Sequence, residues 1–474
     1  MGEDLLERIG EDINNYNSIE QLREEFIKKG YLEKDIDDAI QRITQKSKKV
    51  SVQVQNARIF TFKEILDRLG YGFVTHQFIN ILFFLTGAGY LLIGIMNCLK
   101  SLLSILLSSV LKEYSKVHEL SKGFMSKSGI LFGFSFLLMA AGIKLRNLWI
   151  FSIALLLGCI GVVSYGDFYS KIIRENLKKE KMNHFLVRIS YYGVLITALT
   201  FLLSGYLMDK FPIDGPAVMI MGARYPIYGY LISFEISAFA FILSGYFIYF
   251  LSYKTEEKKY RFSRFIAEYF KRVGEHTKIF FKNRLIFLSL LLTIIVSVVQ
   301  ILGNSYYGIY IYRNFNNLGL GGFLNVAVIF SIAIIVSLIA PFFTKKIEKL
   351  IGLSPMIVFG ALLMAFMPFT LAYNPNLNAI GLANAVSTLG AVIVGVSLGL
   401  LAKTLMSEQE RKMYYSAISI ISIIPFLVLI PLGAYVAQTL GLTQFFVLLS
   451  VIIAIIIMPL SFILVYLSSK EKMG

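Results

Sequence analysis

The residues of this chain with the clearest chemical potential are amides and tyrosines inside a long apolar segment, VSVVQILGNSYYGIYIYRNF. Gln300, Asn304 and Tyr307 recur at helical spacing, so a helix would carry all three on one face. Amides in hydrocarbon need hydrogen-bonding partners. Either this face binds a small polar or amphipathic solute by hydrogen bonds and aromatic stacking, or Gln300 and Asn304 tie the helix to a neighbour.

Two further amides fall inside apolar segments that predict helices. Asn80 lies one helical turn after His76 in the first such segment, and Asn384 lies in the tenth. We predict that both asparagines are candidates for binding a solute. His76 lies near the start of its segment, where we expect it among lipid headgroups.

Glu235, in YLISFEISAFAF, is an acid well inside an apolar segment. A charged side chain at the centre of a membrane helix costs about 2.5–3.5 kcal/mol on insertion scales, so its presence needs a reason. One hypothesis is proton coupling. The other is an ion pair with Arg224 or Lys210, both in the predicted outer loop before this helix.

Enzymatic and metal-binding patterns do not emerge from the sequence. It contains no phosphate-binding glycine loop and no Gly-x-Ser-x-Gly nucleophile turn. The two cysteines and the four histidines have no metal-ligand spacing. We therefore expect neither an enzyme nor a cofactor or metal. The residues concerned are Cys98, Cys159, His76, His118, His184 and His276.

The composition of the chain predicts that these residues lie on membrane-spanning helices. Hydrophobic residues make up 56% of the 474 residues, charged residues only 16%, and the mean hydropathy is +0.67. So much apolar surface predicts a chain solvated by a lipid bilayer. The net charge of +16 then indicates lysines and arginines that face anionic lipid, and we expect no nucleic-acid partner.

Twelve apolar segments are long enough to cross a bilayer. Lys and Arg concentrate in the loops on one side, including ten within residues 252–284. The positive-inside rule therefore predicts a multi-pass protein of the cell membrane with both termini in the cytoplasm. The predicted spans are 73–97, 99–115, 128–144, 147–168, 185–207, 227–251, 285–312, 321–343, 354–372, 379–403, 413–437 and 443–467.

The first fifty residues differ from the rest, since they hold 12 of the 30 acids. SIEQLREEFIKKG combines a capping-box pattern, an apolar face and a final glycine, and EKDIDDAIQRI repeats the amphipathic period. We predict a small cytoplasmic helical module over residues 1–46, followed by a linker to residue 50. It is either a solubilising, family-variable tail, or it docks on the membrane domain or on a protein partner.

The spacing also contains a repeat. Six spans, a basic segment and six more spans form a two-half plan, and each half has a lysine-rich turn after its second span, at residues 111–142 and 337–366. With the MSEQERKMYYSAIS connection from residue 406, this plan resembles the major facilitator superfamily over residues 60–470. Lys345, Lys346, Lys349 and Gly352 match the basic part of that family's signature, but its aspartate is missing.

The resemblance implies an all-α membrane fold in which spans 1, 4, 7 and 10 line a central cavity between two six-helix halves. It also implies a gate at the cytoplasmic turns, for which the candidates are Asp167, Arg174, Lys345 and Glu348. The implied function is secondary active or facilitative transport of a small solute by alternating access, and the coupling ion, H⁺ or Na⁺, stays open. The alternatives are a lipid flippase or scramblase on the same fold and a sensor that signals through the N-terminal module.

The sequence predicts six consecutive regions. They are a cytoplasmic module and linker (1–50), an amphipathic lead-in (51–72), the first six-helix half (73–251), a basic connector (252–284), the second half (285–468) and a tail (469–474).

Overall fold

The computed structural model describes residues 19–117, 122–176, 179–213, 217–220, 223–252, 262–281 and 283–473. These residues are almost entirely helical, apart from one short antiparallel hairpin, β1 (Ala217–Ile220) and β2 (Ala223–Pro226). Within them, eleven helices are long and apolar enough to cross a membrane. The chain is therefore a multi-pass membrane protein.

The first part of the chain forms a helical pair and then the first bundle. The helices are α1 (Ile19–Lys28), α2 (Glu33–Phe73), α3 (His76–Leu85), α4 (Tyr90–Val117), α5 (Lys122–Lys144), α6 (Leu148–Asn176), α7 (Lys179–Lys210) and α8 (Gly229–Phe247), with a 3₁₀ turn at Ile248–Phe250.

A connecting helix and the second bundle follow. The helices are α9 (Phe262–Phe280), α10 (Arg284–Phe315), α11 (Gly322–Ile351), α12 (Leu353–Met364), α13 (Phe366–Tyr373), α14 (Leu377–Leu405), α15 (Glu408–Ile421), α16 (Ile423–Leu440), α17 (Leu442–Ile452) and α18 (Met458–Met473), the last two joined by a π-helical turn at Ile453–Ile457.

Local sequence explains where several of these helices begin and end. The side chains of Thr75, Asn283 and Asn376 accept hydrogen bonds from backbone N–H groups in the first turns of α3, α10 and α14. Gly352 and Gly441, at φ of 82° and 87°, connect α11 to α12 and α16 to α17 in a conformation that favours glycine. The chain can therefore reverse within one or two residues.

The two bundles meet along two matched seams. Helix α4 packs against α16, and α7 packs against α11. One end of the assembly, here called the hairpin end, contains β1–β2 and the starts of α4 and α11. The opposite end, here called the basic end, contains the α11–α12 and α14–α15 connections, with Lys345 and Lys403 near them.

The start of the first bundle differs from the predicted span at 73–97. Helix α2 runs without a break to Phe73 through the predicted linker and lead-in, and its end packs against α7 and α8. The chain then breaks at residues 74–75, forms the short α3, and turns again at 86–89. Thus α2 and α3 together supply the first helix of this half. The second helix, α4, begins at Tyr90 and not near residue 99.

The described part of the N-terminal module is a helical hairpin. Leu22 and Phe26 of α1 pack with Ile36 and Ile40 of α2, and Gly30 makes the turn between the helices at φ 89°. Because α2 continues into the membrane bundle, this hairpin is attached to the bundle through a continuous helix.

Helix α9 is amphipathic, a pattern that is typical of helices on a membrane surface. In the structure its aromatic face packs on protein. Phe265 contacts Tyr114 of α4 with ring centroids 5.1 Å apart, and Phe280 contacts Tyr414 of α15 at 5.9 Å. The connector therefore touches both halves at the basic end.

Candidate functional site

A cavity of about 550 Å³ lies between the two halves, within the usual size range for small-molecule sites. Helices α3, α4, α5 and α6 form its walls on one side and α10 on the other. Predicted residues Gln300 and Asn304 both line it, and the Asn304 side chain is exposed to it. The structure thus brings together two of the amides that the sequence singled out.

Lys100 is the principal charged group of this cavity. It lies ten residues into α4, or about 15 Å along the helix, which is half of the roughly 30 Å of hydrocarbon. Its Nζ lies 2.9 Å from Nδ1 of His76. Among the described residues it has no carboxylate within ion-pair distance. An ammonium at this depth costs about 2.5–3.5 kcal/mol on insertion scales, so its retention calls for a function.

His76 is therefore not at the lipid headgroups, and that prediction is wrong. The ring begins α3 and lines the cavity, where it touches Lys100 through one nitrogen. The other nitrogen, Nε2, lies 3.3 Å from the Asn80 amide. As an ammonium, Lys100 can only donate, so Nδ1 of His76 accepts and the neutral imidazole carries its proton on Nε2. The 3.3 Å approach of Nε2 to the Asn80 Nδ2 is then a contact between two donors and not a hydrogen bond.

The amides behind Lys100 connect the two halves. Asn80 donates to the Asn304 backbone carbonyl at 3.3 Å and accepts from Asn97 at 3.1 Å. Asn97 also donates to the Ser305 hydroxyl at 3.0 Å. Within the described residues the Asn97 Oδ1 has no hydrogen-bond partner although it is buried. An unsatisfied buried acceptor is costly in free energy.

Two predicted binding residues lie away from the cavity. Tyr307 is buried within the second half, with its ring centroid 5.5 Å from that of Phe446. Asn384 donates to the Ile329 carbonyl at 3.0 Å and joins α14 to α11. The Asn384 contact is of the kind expected of an amide that ties two membrane helices together.

The predicted coupling and gating residues are also dispersed. Glu235 is exposed on α8, away from the cavity lining, and forms no ion pair with Lys210 among the described residues. Lys345 is exposed and Glu348 half-buried near the end of α11, which continues as a helix through the predicted turn to Gly352. The side chains of Asp167 and Arg174 lie outside the described residues.

A second polar cluster, which the sequence analysis missed, lies within the first half. Lys63 is 2.6 Å from Asp67 and 3.5 Å from Glu64, and its ammonium lies 4.5 Å from the ring centroid of Tyr165. The Asp67 carboxylate accepts further bonds from Tyr165 at 3.0 Å and Ser244 at 2.6 Å. Lys63 and Asp67 are almost fully buried, so α2, α6 and α8 meet around a hydrogen-bonded ion pair.

The halves also touch at the hairpin end, through a charged contact. Asp209, near the end of α7, accepts hydrogen bonds from the Phe323 and Leu324 backbone amides at 2.9 and 2.7 Å. These amides belong to the first turn of α11 and therefore have no hydrogen-bond partner within their own helix. The carboxylate therefore caps a helix of the opposite half, where the partial positive charge of the N-terminus favours it.

A neutral contact occupies the corresponding place on the other seam. Gln438, near the end of α16, accepts from the Leu91 backbone amide at the start of α4 at 3.3 Å. Between the two seams, Gln77 accepts from the Gly308 amide at 3.2 Å, and Tyr306 donates to the Tyr90 carbonyl at 2.9 Å. Side chains and helix starts thus join the halves across the hairpin end.

Comparison with known proteins supports the arrangement of two halves. No protein-family model matches the sequence, and no curated protein matches it. Solved structures do. The nucleoside transporter NupG matches at 11% identity and TM-score 0.62, over 87% of this chain and 98% of that one. A POT family transporter in complex with 5-aminolevulinic acid matches at 15% and 0.59, over 88% and 96%.

A third similar structure is a bacterial homologue of the iron transporter ferroportin in an inward-facing state. It matches at 12% identity and TM-score 0.60, over 87% of this chain and 99% of that one. Each structure is covered almost completely, so the similarity extends through both halves. At such identities it establishes the fold.

Proposed function

We propose that this chain, whose fold is that of the major facilitator superfamily, is a transporter that moves a small solute across the cell membrane by alternating access. The observation that carries this proposal is the cavity between the halves, with the polar side chains of Lys100, Gln300 and Asn304 on its largely apolar walls. A cavity at this place can be exposed to either side by rocking the halves about it.

The direction of exposure follows from the contacts around the cavity. Asp209, Gln438 and Gln77 join the halves at the hairpin end. The cavity residues Ser104 of α4 and Ser297 of α10 lie nearer the basic end of their helices than Lys100 and Asn304 do. We infer a state closed at the hairpin end, in which a solute exchanges at the basic end.

The basic end is proposed to face the cytoplasm. The bias of lysines and arginines toward that side supports this orientation and a cytoplasmic position for both termini. In that orientation the described state is inward-facing. Neither a proton nor a sodium site follows from Glu235, which lies on the outer surface of α8, so we propose facilitative or ion-coupled transport without naming the ion.

A binding screen followed by a transport assay tests this proposal. Purified protein is screened by thermal shift against a broad solute library, and each stabilising solute is then assayed for counterflow into proteoliposomes. We expect Asn304→Ala to weaken both binding and counterflow. Asn378→Ala, at an exposed site at the start of α14, is the matched control and should change neither.

The same proteoliposomes separate the alternatives. Loss of fluorescent lipid from the outer leaflet without counterflow of any binding solute would replace the proposal with a lipid scramblase. Binding with neither activity would favour a sensor, and removal of residues 1–50 would then abolish its signal.

A further inference from the structure

The charge of the central cavity indicates what kind of solute it takes. Lys100 is the single lysine or arginine among the described residues that line it, and no described aspartate or glutamate lines it. Its polar neighbour His76 is neutral when it accepts from the ammonium, so it does not balance the charge. The cavity therefore contains a positive charge that the described side chains leave uncompensated.

The remaining surface divides into two chemically different parts. Phe132, Phe136 and Leu155 of α5 and α6 line the wall on the first half, and apolar contact with them suits a hydrocarbon or aromatic body. On the opposite wall, Gln300 and Asn304 of α10 present amides. A molecule that fills this space would meet a cation, an apolar wall and a few hydrogen-bonding groups.

We propose that the transported solute is an amphipathic organic monoanion whose carboxylate pairs with Lys100. This inference rests on the proposed function and adds the substrate class to it. The anion would lie against the ammonium at bilayer mid-depth, where low dielectric strengthens the attraction between the charges. Its apolar body would pack on the phenylalanine wall, and the amides of Gln300 and Asn304 would face its polar groups.

Opposite charge also explains why a lysine can be kept at this depth. An isolated ammonium is unfavourable in the membrane, and a bound anion compensates it, so the loaded site is electrically neutral. A solute with a positive charge would meet repulsion from Lys100. A neutral solute would leave the ammonium without a counter-charge.

The test uses sets of three compounds with one carbon skeleton. Aryl and alkyl carboxylates are each matched with their primary amide and with the corresponding primary amine. Binding to the purified full-length chain is measured by thermal shift, and the strongest carboxylate is then titrated calorimetrically. We expect the carboxylates to bind at least tenfold more tightly than their amides and the amines not to bind. Equal binding by amides or amines, or no binding by any carboxylate, would overturn the inference.

Two substitutions locate the charge that is responsible. Lys100→Gln should weaken carboxylate binding at least tenfold and leave amide binding within about twofold, whereas Lys100→Arg should retain most of the preference. Lys403→Gln, at an exposed lysine near the end of α14, is the control. Unchanged carboxylate affinity in folded Lys100→Gln would refute the assignment. If that variant does not fold, the assignment is tested by the ratio of carboxylate affinity to amide affinity, measured in the wild type and in Lys100→Arg.

Counterflow with the same compounds keeps this inference separate from the proposed function. If carboxylates bind through Lys100 but are not transported, the proposed transport function is refuted and the proposed anion site is supported. If amines or neutral amides are transported with no preference for carboxylates, the proposed transport function is supported and the proposed anion site is refuted.

Discussion

Removing the Asp209 carboxylate should shift the protein toward a state open at the hairpin end. This side chain belongs to the first half, but both of its hydrogen bonds go to the start of α11 in the second half. Gly321, at φ 123°, lies beside it, and a Cβ there would approach Asp209 Oδ2 to 2.5 Å. The glycine therefore leaves room for the carboxylate. When the halves separate at this end, both hydrogen bonds must break.

The size of the effect follows from those bonds. Hydrogen bonds to a charged group contribute about 1.5–3 kcal/mol each. A charge at a helix terminus adds about 0.3–1 kcal/mol. These values already allow for the water that hydrates the carboxylate and the amides of Phe323 and Leu324 in the open state, and two bonds to one carboxylate do not add fully. A net difference of about 1–3 kcal/mol between closed and open states remains, equivalent to about a 5- to 150-fold change in their ratio.

Pulsed electron-spin distances measure that ratio directly. Spin labels at Leu145→Cys and Leu318→Cys report the hairpin end, and labels at Lys127→Cys and Leu350→Cys report the basic end; all four positions are exposed. In Asp209→Ala the long-distance population should increase at the hairpin end and the short-distance population at the basic end. Asp209→Asn should act in the same direction, because its amide can accept only one of the two bonds through its oxygen.

Gln438 provides the matched comparison on the other seam. Its contact is one neutral bond at 3.3 Å, worth about 0.5–1.5 kcal/mol at most, so Gln438→Ala should shift the distances less than Asp209→Ala does. Lys210→Ala, next to Asp209 but exposed, should leave them unchanged. Unaltered distances in Asp209→Ala, or an equal response to Lys210→Ala, would show that the carboxylate does not hold the hairpin end closed.

Three further changes test the packing of the halves. Asp67→Ala removes the nearer carboxylate of the buried Lys63 and should lower stability by about 3 kcal/mol, seen as a drop in thermal midpoint that Lys63→Met in the same chain partly restores. Gly390→Val inserts a side chain where a Cβ would lie 2.6 Å from a carbonyl of α12 and should cost about 1–3 kcal/mol; Gly395→Val, on the same helix in open space, should cost little, and equal losses would contradict this reasoning. Ser407→Ala removes the cap of α15 and should cost about 1 kcal/mol, with faster amide exchange confined to its first turn.

The fold was predictable because most spans are uniformly apolar. Their length and the bias of basic residues between them give the two six-helix halves without reference to tertiary contacts. The first helix was the exception. The C-terminal part of helix α2 contains Lys63, Glu64, Asp67 and Arg68, and four charges so close together lower its hydropathy to that of a surface segment. Burial of this charge cluster depends on Tyr165 and other groups from distant helices, which the local sequence does not specify.

That error also concealed the centre of the site. With the first span placed at 73–97 and the second beginning at 99, Asn97 and Lys100 fell at the turn between them and were not considered. In the structure they lie inside α4, one helical turn apart. One signal was present in the sequence, because Lys100 is a single charge with long apolar runs on both sides. A lone lysine at mid-span is expensive and is a functional candidate by default.

Polar residues in these helices can be sorted by whether the protein satisfies them. Asn384 and Asn325 direct their side-chain amides to backbone carbonyls, at 3.0 Å and 2.7 Å, and hold helices or loops together. Within the described residues, Lys100 lacks a counter-charge at the cavity between the halves, and the buried Asn97 oxygen lacks a donor. Groups of the first kind lose stability when they are replaced. Groups of the second kind are costly until a molecule binds, because their missing partners must come from it.

Asn304, exposed to the cavity although its backbone carbonyl is bonded to Asn80, belongs with the second kind. Its replacement should therefore reduce ligand binding with little change in the thermal midpoint of the unliganded protein, whereas Asn384→Ala should lower that midpoint and leave the affinity of the folded fraction unchanged.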